Sequence, residues 1–176
     1  MKDNKMIKYP VILGVIALVA GLLLALVYNV TAPIIEENRI KRENAAVIEM
    51  FGDSASISDI SDTLNDEEKN IGIYSVLKVT SKSKVYYVYK VNFKDSFDGD
   101  ESSYIVAIDN SSKIYKLKFS SVGDSYASKY NTDSYVSKVE GKGKLTNSDT
   151  VSGATATGRS IVNSINATIE HKGRVD

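Results

Sequence analysis

The residues best suited to chemistry in this chain are the small and hydroxyl-bearing ones of residues 149–157. They run directly into a segment whose apolar residues fall on one face of a helix: Ile161, Val162, Ile165 and Ile169. The run therefore lies at a helix N terminus, where unpaired N–H groups and the positive end of the helix dipole favour an anion. Gly153 and Ala154 leave room beside the backbone, and Thr155 offers a hydroxyl in the first turn. This pattern predicts a phosphate-bearing group seated on, or bonded to, a threonine.

A plain structural role fits the same residues. Ser152 would cap the helix by accepting a hydrogen bond from a backbone N–H group, and the helix would then simply pack on the core. Spacing alone favours this cap, because serine is among the preferred N-cap residues.

The pattern Asp-x-x-Ser-Gly-Ala-Thr resembles the flavinylation motif of the FMN-binding domain shared by the RnfG protein of Rnf complexes and its counterpart in the sodium-pumping NADH:quinone oxidoreductase. In that family a flavin transferase joins the FMN phosphate to the threonine that closes the motif, as a phosphoester. The resemblance implies Thr155 as the acceptor, and Thr157 is a second, less favoured hydroxyl. It also implies phosphate contacts from Ser152, Gly153 and Ala154, and a role for Asp149 in orienting the loop or assisting the transferase.

The composition excludes several classes of site. The chain of 176 residues has 22 basic and 22 acidic residues, no cysteine and one histidine, His171. Without cysteine there is no disulfide scaffold, thiolate-bound metal or iron–sulfur cluster. A single histidine provides no histidine metal cluster and disfavours a serine–histidine triad, while zero net charge argues against nucleic acid as a partner. We therefore expect no metal centre and no catalytic residue of the chain's own.

Residues 11–30 form an apolar segment long enough to cross a bilayer as a helix. A signal peptide is the alternative, but its apolar region would be shorter, and the best cleavage position, near Ala32, is followed by Pro33. We therefore expect a retained anchor. The positive-inside rule places residues 1–10 in the cytoplasm and the bulk of the chain outside, because lysines crowd the N-terminal side: Lys2, Lys5 and Lys8.

Small residues recur at every fourth position of this segment, at Ala17, Gly21 and Ala25. Such a stripe lets another membrane helix pack closely, although glycine and alanine are common in membrane helices in general. Residues 31–51 then predict a juxtamembrane helix that starts or kinks at Pro33 and has an apolar face of Ile40, Val47, Ile48 and Phe51. The run 26–39 resembles the family's membrane exit, in which a Thr-Ala-Pro step leads into a charged helix.

Residues 52–70 are rich in serine and aspartate and predict an acidic loop with at most a short helix. Four segments beyond it show the alternation of strands, and a turn at residues 109–112 joins the last two: residues 71–80, 85–93, 104–108 and 114–119. Three sets of side chains are each expected to share a face: Ile71, Ile73, Leu77 and Val79; Val85, Tyr87, Tyr89, Val91 and Phe93; and, pointing inward, Tyr115, Leu117 and Phe119. Strands bracketed by helices predict an α+β domain with an antiparallel sheet.

After the last strand the family usually carries a Glu-Thr-Pro-Gly-Leu-Gly-like segment close to the flavin. Residues 120–125 here read Ser-Ser-Val-Gly-Asp-Ser, so only a glycine is retained. Further on, residues 133–139 predict a short helix closed by Gly141, and residues 135–142 resemble the family's element just before the motif. The resemblance is thus strong at the two ends of the chain and weak in the middle.

Taken together, these patterns predict an α+β protein in which a single transmembrane helix precedes an antiparallel sheet flanked by helices. The resemblance implies that residues 52–176 form an extracytoplasmic FMN-binding domain. The chain would be an electron-carrying subunit, with covalent FMN, of a membrane-bound, ion-translocating oxidoreductase complex of Rnf type. Its partners would be the other membrane subunits and a flavin transferase. Two alternatives stay open: a membrane-anchored interaction domain without flavin, and a stand-alone extracytoplasmic flavoprotein that passes electrons to a surface acceptor.

Overall fold

The computed structural model describes residues 5–52, 54–94, 99–123 and 125–175. Lys2 and Asp124, which enter the predictions above, lie outside these residues, as do the side chains of Lys5, Lys8 and Ile40. The chain divides into two compact units, residues 1–42 and residues 43–176.

Helix α1, Lys5–Phe51, is one continuous helix with Pro10 and Pro33 inside it, and residues of both units belong to it. Its stretch Tyr9–Ile35 has a mean hydropathy of 2.9 and is long and apolar enough to cross a membrane. A second helix does not begin at Pro33, as one of the two predictions had it, because α1 continues through this residue. Proline removes one backbone donor from the helix, and the Thr31 hydroxyl, two residues earlier, donates to the Val27 carbonyl at 2.8 Å.

Five strands form one antiparallel sheet in the order β1-β2-β3-β4-β5: β1 Ser56–Asp59, β2 Ile73–Ser81, β3 Lys84–Lys94, β4 Glu101–Asp109 and β5 Ile114–Ser121. This sheet lies in the C-terminal unit, which also contains, among the described residues, four α-helices after α1: α2 Asp66–Asn70, α3 Ser125–Ser128, α4 Asp133–Val139 and α5 Thr155–Val175. The predicted α+β class and antiparallel sheet are confirmed. Strand β1 was not predicted, because its residues Ser-Ile-Ser-Asp are all exposed and show no apolar alternation.

Each face of the sheet has its own apolar core. Helix α5 buries Ile161, Val162 and Ile165 in the core that also holds Tyr87, Tyr89, Val91 and Phe93 of β3. The last turns of α1 bury Ala46, Val47 and Phe51 on the other face, with Leu77, Val79, Val88, Ile105 and Ala107. The sheet is therefore a layer between two helical elements of unequal length.

Two of the predicted strand faces are wrong, and a β-bulge accounts for each. The pairing of β2 with β3 shifts between Ile73 and Ser75, so Ile73 joins the α5 core while Leu77 joins the α1 core. The pairing of β4 with β5 shifts between Ala107 and Ile108, and Tyr115 consequently turns to the α1 face, where its ring stacks on Phe51 at 5.7 Å. The face predicted for β3 is confirmed.

Two isolated predictions also fail at element ends. Ile71 precedes β2 and is 41% exposed, because the strand begins only at Ile73. Ile48 is 42% exposed, because the buried face of α1 runs through Ala46, Val47 and Phe51 instead.

The C-terminal end of α5 is fixed by a buried polar cluster around His171. The Tyr89 hydroxyl lies 3.0 Å from Nδ1 of His171, and the Thr63 hydroxyl lies 3.3 Å from its Nε2. Burial lowers the pKa of His171 below its ordinary value, which favours the neutral ring. Beside it, buried Glu68 of α2 pairs with Arg174. These contacts hold the 60–70 segment against α5 and so fix the helix whose other end carries the motif.

Candidate functional site

The motif of residues 149–157 spans the end of a 3-10 helix, Asn147–Asp149, a turn, and the first turn of α5. Thr155 is the first residue of α5 and is exposed. Ser152 and Gly153 are exposed on the turn, whereas Ala154 is buried. Thr157 is only 1% exposed and faces the core.

The turn before α5 is closed by its own backbone. The Ala154 N–H donates to the Val151 carbonyl at 3.0 Å, and the Ala154 carbonyl accepts the first helical bond from Gly158 at 2.9 Å. Ala154 therefore holds the N-cap position, so the alternative prediction that Ser152 caps the helix is wrong. Gly153 has a φ of +75°, a left-handed conformation that side chains with a Cβ rarely adopt.

A buried tyrosine lies directly beneath this turn. The Tyr130 hydroxyl accepts from the Val151 N–H at 2.9 Å and donates to the Ala154 carbonyl at 2.8 Å. Gly158 faces the same hydroxyl, and a Cβ at residue 158 would overlap it. The sequence prediction missed both residues, because a tyrosine among 11 in the chain and a glycine within a helix carry no distinctive spacing.

Asp149 supports the turn from its other side. Its carboxylate, 3% exposed as a residue, accepts from Lys142 Nζ and from the Thr146 N–H at 2.9 Å. Burial opposes ionisation of the carboxyl, but the hydrogen bonds from Lys142 and Thr146 outweigh it, and the pKa of Asp149 lies below its ordinary value. Asp149 is therefore a charged anchor whose oxygens are directed to neighbouring residues.

Helix α5 also holds the chain that leads into the motif. The Asn166 side chain pairs with both backbone groups of Leu145, accepting from its N–H at 2.8 Å and donating to its carbonyl at 2.9 Å. The ring of Tyr135 from α4 packs edge-on against Tyr130 at 4.8 Å. Among the described residues the buried Tyr135 hydroxyl has no hydrogen-bond partner, and burial raises its pKa.

One cation lies at the exposed side of the turn. Lys129 Nζ donates to the Gly153 carbonyl at 3.1 Å, and it is 3.2 Å from where a Cβ on Gly153 would stand. The exposed Thr155, the positive end of α5 and the Lys129 ammonium group thus all lie at this turn. This donor set fits a phosphate.

The segment that departs from the family pattern lies at the end of β5. The Gly123 N–H donates to the Ser102 hydroxyl at 2.9 Å, and a Cβ on Gly123 would meet the Glu101 carbonyl. The glycine is therefore required by its close approach to the start of β4. The described residues of this segment carry neither the glutamate nor the proline of the family pattern.

Comparisons with known proteins agree with both ends of the chain. Residues 1–49 match the family described as RnfG N-terminal region, and this match contains most of α1. Residues 99–170 match the FMN-binding domain, which here includes β4, β5, Tyr130 and the whole motif. Comparison with curated proteins gave no match.

The two matched regions together cover more than half of the chain, in the order expected from the motif and the membrane exit. An FMN-binding domain suggests FMN as the ligand, and the N-terminal match implies the other Rnf subunits as partners. The chain belongs to the RnfG family.

Proposed function

We propose that this chain is the electron-carrying subunit of a membrane-bound, ion-translocating oxidoreductase complex of Rnf type, with one FMN attached to Thr155 as a phosphoester. The observation that carries the proposal is the exposed hydroxyl of Thr155 at the start of α5, within an FMN-binding domain. FMN supplies the redox chemistry when bound, and the protein supplies its position and electrostatic surroundings.

The choice between the two threonines rests on their exposure. Thr155 is exposed, and a transferase can reach its hydroxyl without unfolding the helix. Thr157 is 1% exposed, so attack from its hydroxyl would require the first turn of α5 to open. These positions favour Thr155 as the acceptor.

Attachment forms one bond from the Thr155 hydroxyl oxygen to phosphorus. The bond from phosphorus to the leaving group of an activated flavin nucleotide breaks, and the hydroxyl proton passes to a base of the transferase or to water. The positive end of α5 and the Lys129 ammonium both favour a phosphate at this position. Gly153 contributes the turn conformation, and Ser152 is an exposed hydroxyl beside it.

Asp149 acts in this scheme by holding the loop. Its carboxylate is engaged by Lys142 and Thr146, so it has a structural partner on each oxygen and is not directed at Thr155 as a base. Of the two roles implied by the resemblance, this geometry favours orientation of the loop over assistance to the transferase.

The test is substitution of the acceptor in the full chain, co-expressed with a competent flavin transferase. Thr155→Ala is expected to abolish the FMN mass increment and the in-gel flavin fluorescence under denaturing conditions, because it removes the attacking oxygen. Thr155→Ser keeps that oxygen and should retain part of the loading, and Thr157→Ala should remain largely loaded.

The expected loss of stability for Thr155→Ala is small, about 1 kcal/mol or less, because the side chain is exposed. A folded chain without flavin is therefore the expected result, and circular dichroism checks the folding. Wild-type chain that stays free of flavin beside a competent transferase would contradict the proposal.

A further inference from the structure

Tyr130 joins the two ends of the turn that precedes the acceptor. Its hydroxyl accepts from Val151 at 2.9 Å and donates to Ala154 at 2.8 Å, and Ala154 is the residue immediately before Thr155. Tyr130 is completely buried, and Tyr135 packs edge-on against its ring. We propose that Tyr130 is a positioning residue for flavin attachment, which holds the turn in the conformation that presents Thr155 to the transferase. This role rests on the proposed function.

The two hydrogen bonds of the Tyr130 hydroxyl, here called the Tyr130 bridge, constrain Thr155 more than the turn's own backbone does. The Ala154-to-Val151 bond closes the turn, but the exposed residues Ser152 and Gly153 lie between those two ends. The Tyr130 hydroxyl ties both ends to a ring held in the core, so the turn cannot move without breaking hydrogen bonds to that hydroxyl. The backbone entering Thr155 is thereby fixed relative to the sheet.

Gly158 is the second part of this arrangement. Glycine is a poor residue for a helix interior, yet a Cβ at residue 158 would overlap the Tyr130 hydroxyl and crowd the Thr150 methyl group. The glycine thus makes space for the bridge. Gly173, in the same helix, has nothing within 4 Å of such a Cβ and provides the comparison.

The alternative is that the Tyr130 hydroxyl only stabilises the core and does not affect flavin attachment. Tyr104 is the control that separates these two roles. Tyr104 is also completely buried, and its hydroxyl donates to Ser164 of α5 at 2.7 Å. Loss of either hydroxyl removes buried hydrogen bonding to or beside α5. Of these two hydroxyls, it is that of Tyr130 that bonds to the turn before Thr155.

The experiment measures initial rates of flavin incorporation into the purified full chain in detergent, with purified transferase, over a range of chain concentrations. In Tyr130→Phe the turn leaves the presenting conformation in most molecules. The concentration of chain needed for half-maximal rate should therefore rise roughly tenfold, while the maximal rate stays close to wild type. Tyr104→Phe should behave as wild type.

A second pair of variants displaces the hydroxyl without removing it. Gly158→Ala should raise the same half-maximal concentration, and Gly173→Ala should leave it unchanged. Normal kinetics in a folded Tyr130→Phe chain, or equal impairment in Tyr104→Phe, would overturn the positioning role alone. Failure of the wild-type chain to take up flavin would overturn the proposed function, and this role with it.

Discussion

Thr155 and Thr157 are two residues apart, yet one faces solvent and the other the core. Each helical residue advances by about 100°, so residues two apart point to nearly opposite sides. Thr157 shares its face with Ile161 and Ile165, which follow it at intervals of four, and this relation was already readable in the sequence. The partnership of Tyr130 with the turn was not, because it joins residues 21 and 24 positions apart through tertiary packing.

The charge of Asp149 yields a prediction about pH. We expect Asp149→Asn to lower the free energy of unfolding by about 1–2 kcal/mol at neutral pH, because the amide loses the charge-assisted bond from Lys142, itself partly exposed. The pKa of Asp149 is depressed in the folded state. The contribution of its charge is therefore fully present above the unfolded pKa of about 3.9, and it is lost as the pH falls through the folded value.

Denaturant titrations of both chains at neutral pH and at acidic pH check this prediction. The difference between wild type and Asp149→Asn should be present at neutral pH and disappear at the acid end. Asp62→Asn is the matched control, since Asp62 is exposed in the 3-10 helix Ser61–Thr63 and should show no such difference. A gap that persists unchanged into acid would show that the charge of Asp149 is not the cause.

At the level of elements, helix α4 and strand β3 agree with the sequence predictions. Helix α4 has the predicted range, Asp133–Val139, and Gly141 follows it with a φ of +83°. Strand β3 has the predicted faces because its pairing with β4 is uninterrupted. Strands β2 and β5 differ from prediction because each carries a register shift, which inverts the faces on one side of it and leaves no mark in composition.

The end of α1 belongs to the folded domain by its packing. The compact C-terminal unit begins at residue 43, nine residues before the predicted boundary at residue 52. Val47 is completely buried and Phe51 is 7% exposed, and both lie against the sheet. We therefore expect a fragment of residues 43–176 to fold as a soluble domain. A fragment of residues 52–176 should have a free energy of unfolding lower by about 4 kcal/mol, or should aggregate, because one sheet face becomes uncovered.

Size-exclusion chromatography and thermal unfolding of the two chains decide this point. Within residues 43–176, Val47→Asp should reproduce the defect, since it places a charge in the α1 core. Ile48→Asp is the neighbouring control, because Ile48 is 42% exposed. Equal melting temperatures for the two chains would show that the last turns of α1 are dispensable.

At the level of the whole molecule, orientation across the membrane is the first question. The lysines before the apolar segment predict a cytoplasmic N terminus and a domain outside the cytoplasm. Protease added to intact spheroplasts should therefore remove residues 38–176, while a cytoplasmic marker protein stays whole. Digestion that occurs only after the membrane is permeabilised would reverse the orientation.

The membrane segment also carries a prediction about assembly. In α1, Gly14 and Gly21 have nothing within 4 Å of where a Cβ would stand, so a larger residue is accommodated within the chain itself. Gly21→Leu is expected to reduce co-purification with the other Rnf subunits, because it blocks close approach of a neighbouring helix. Flavin loading should stay normal. Leu22→Ile, at an exposed position beside it, is the control. Unchanged co-purification of Gly21→Leu would show that the small-residue stripe is not needed for association with the other subunits.

The hydrogen bonds of buried Tyr130 have a consequence for the order of folding and flavin attachment. The turn of residues 151–154 is held by Tyr130, and Asn166 holds Leu145 in the chain that leads into it, so its geometry exists only after the domain has folded. An unfolded or damaged chain contains the same residues around Thr155, but it lacks the turn conformation that presents Thr155 to the transferase. Under the proposed function, the transferase would then attach flavin only to correctly folded copies, and only those would carry electrons. The fraction of chains that fluoresce under denaturing conditions would accordingly record how many had folded when the transferase met them.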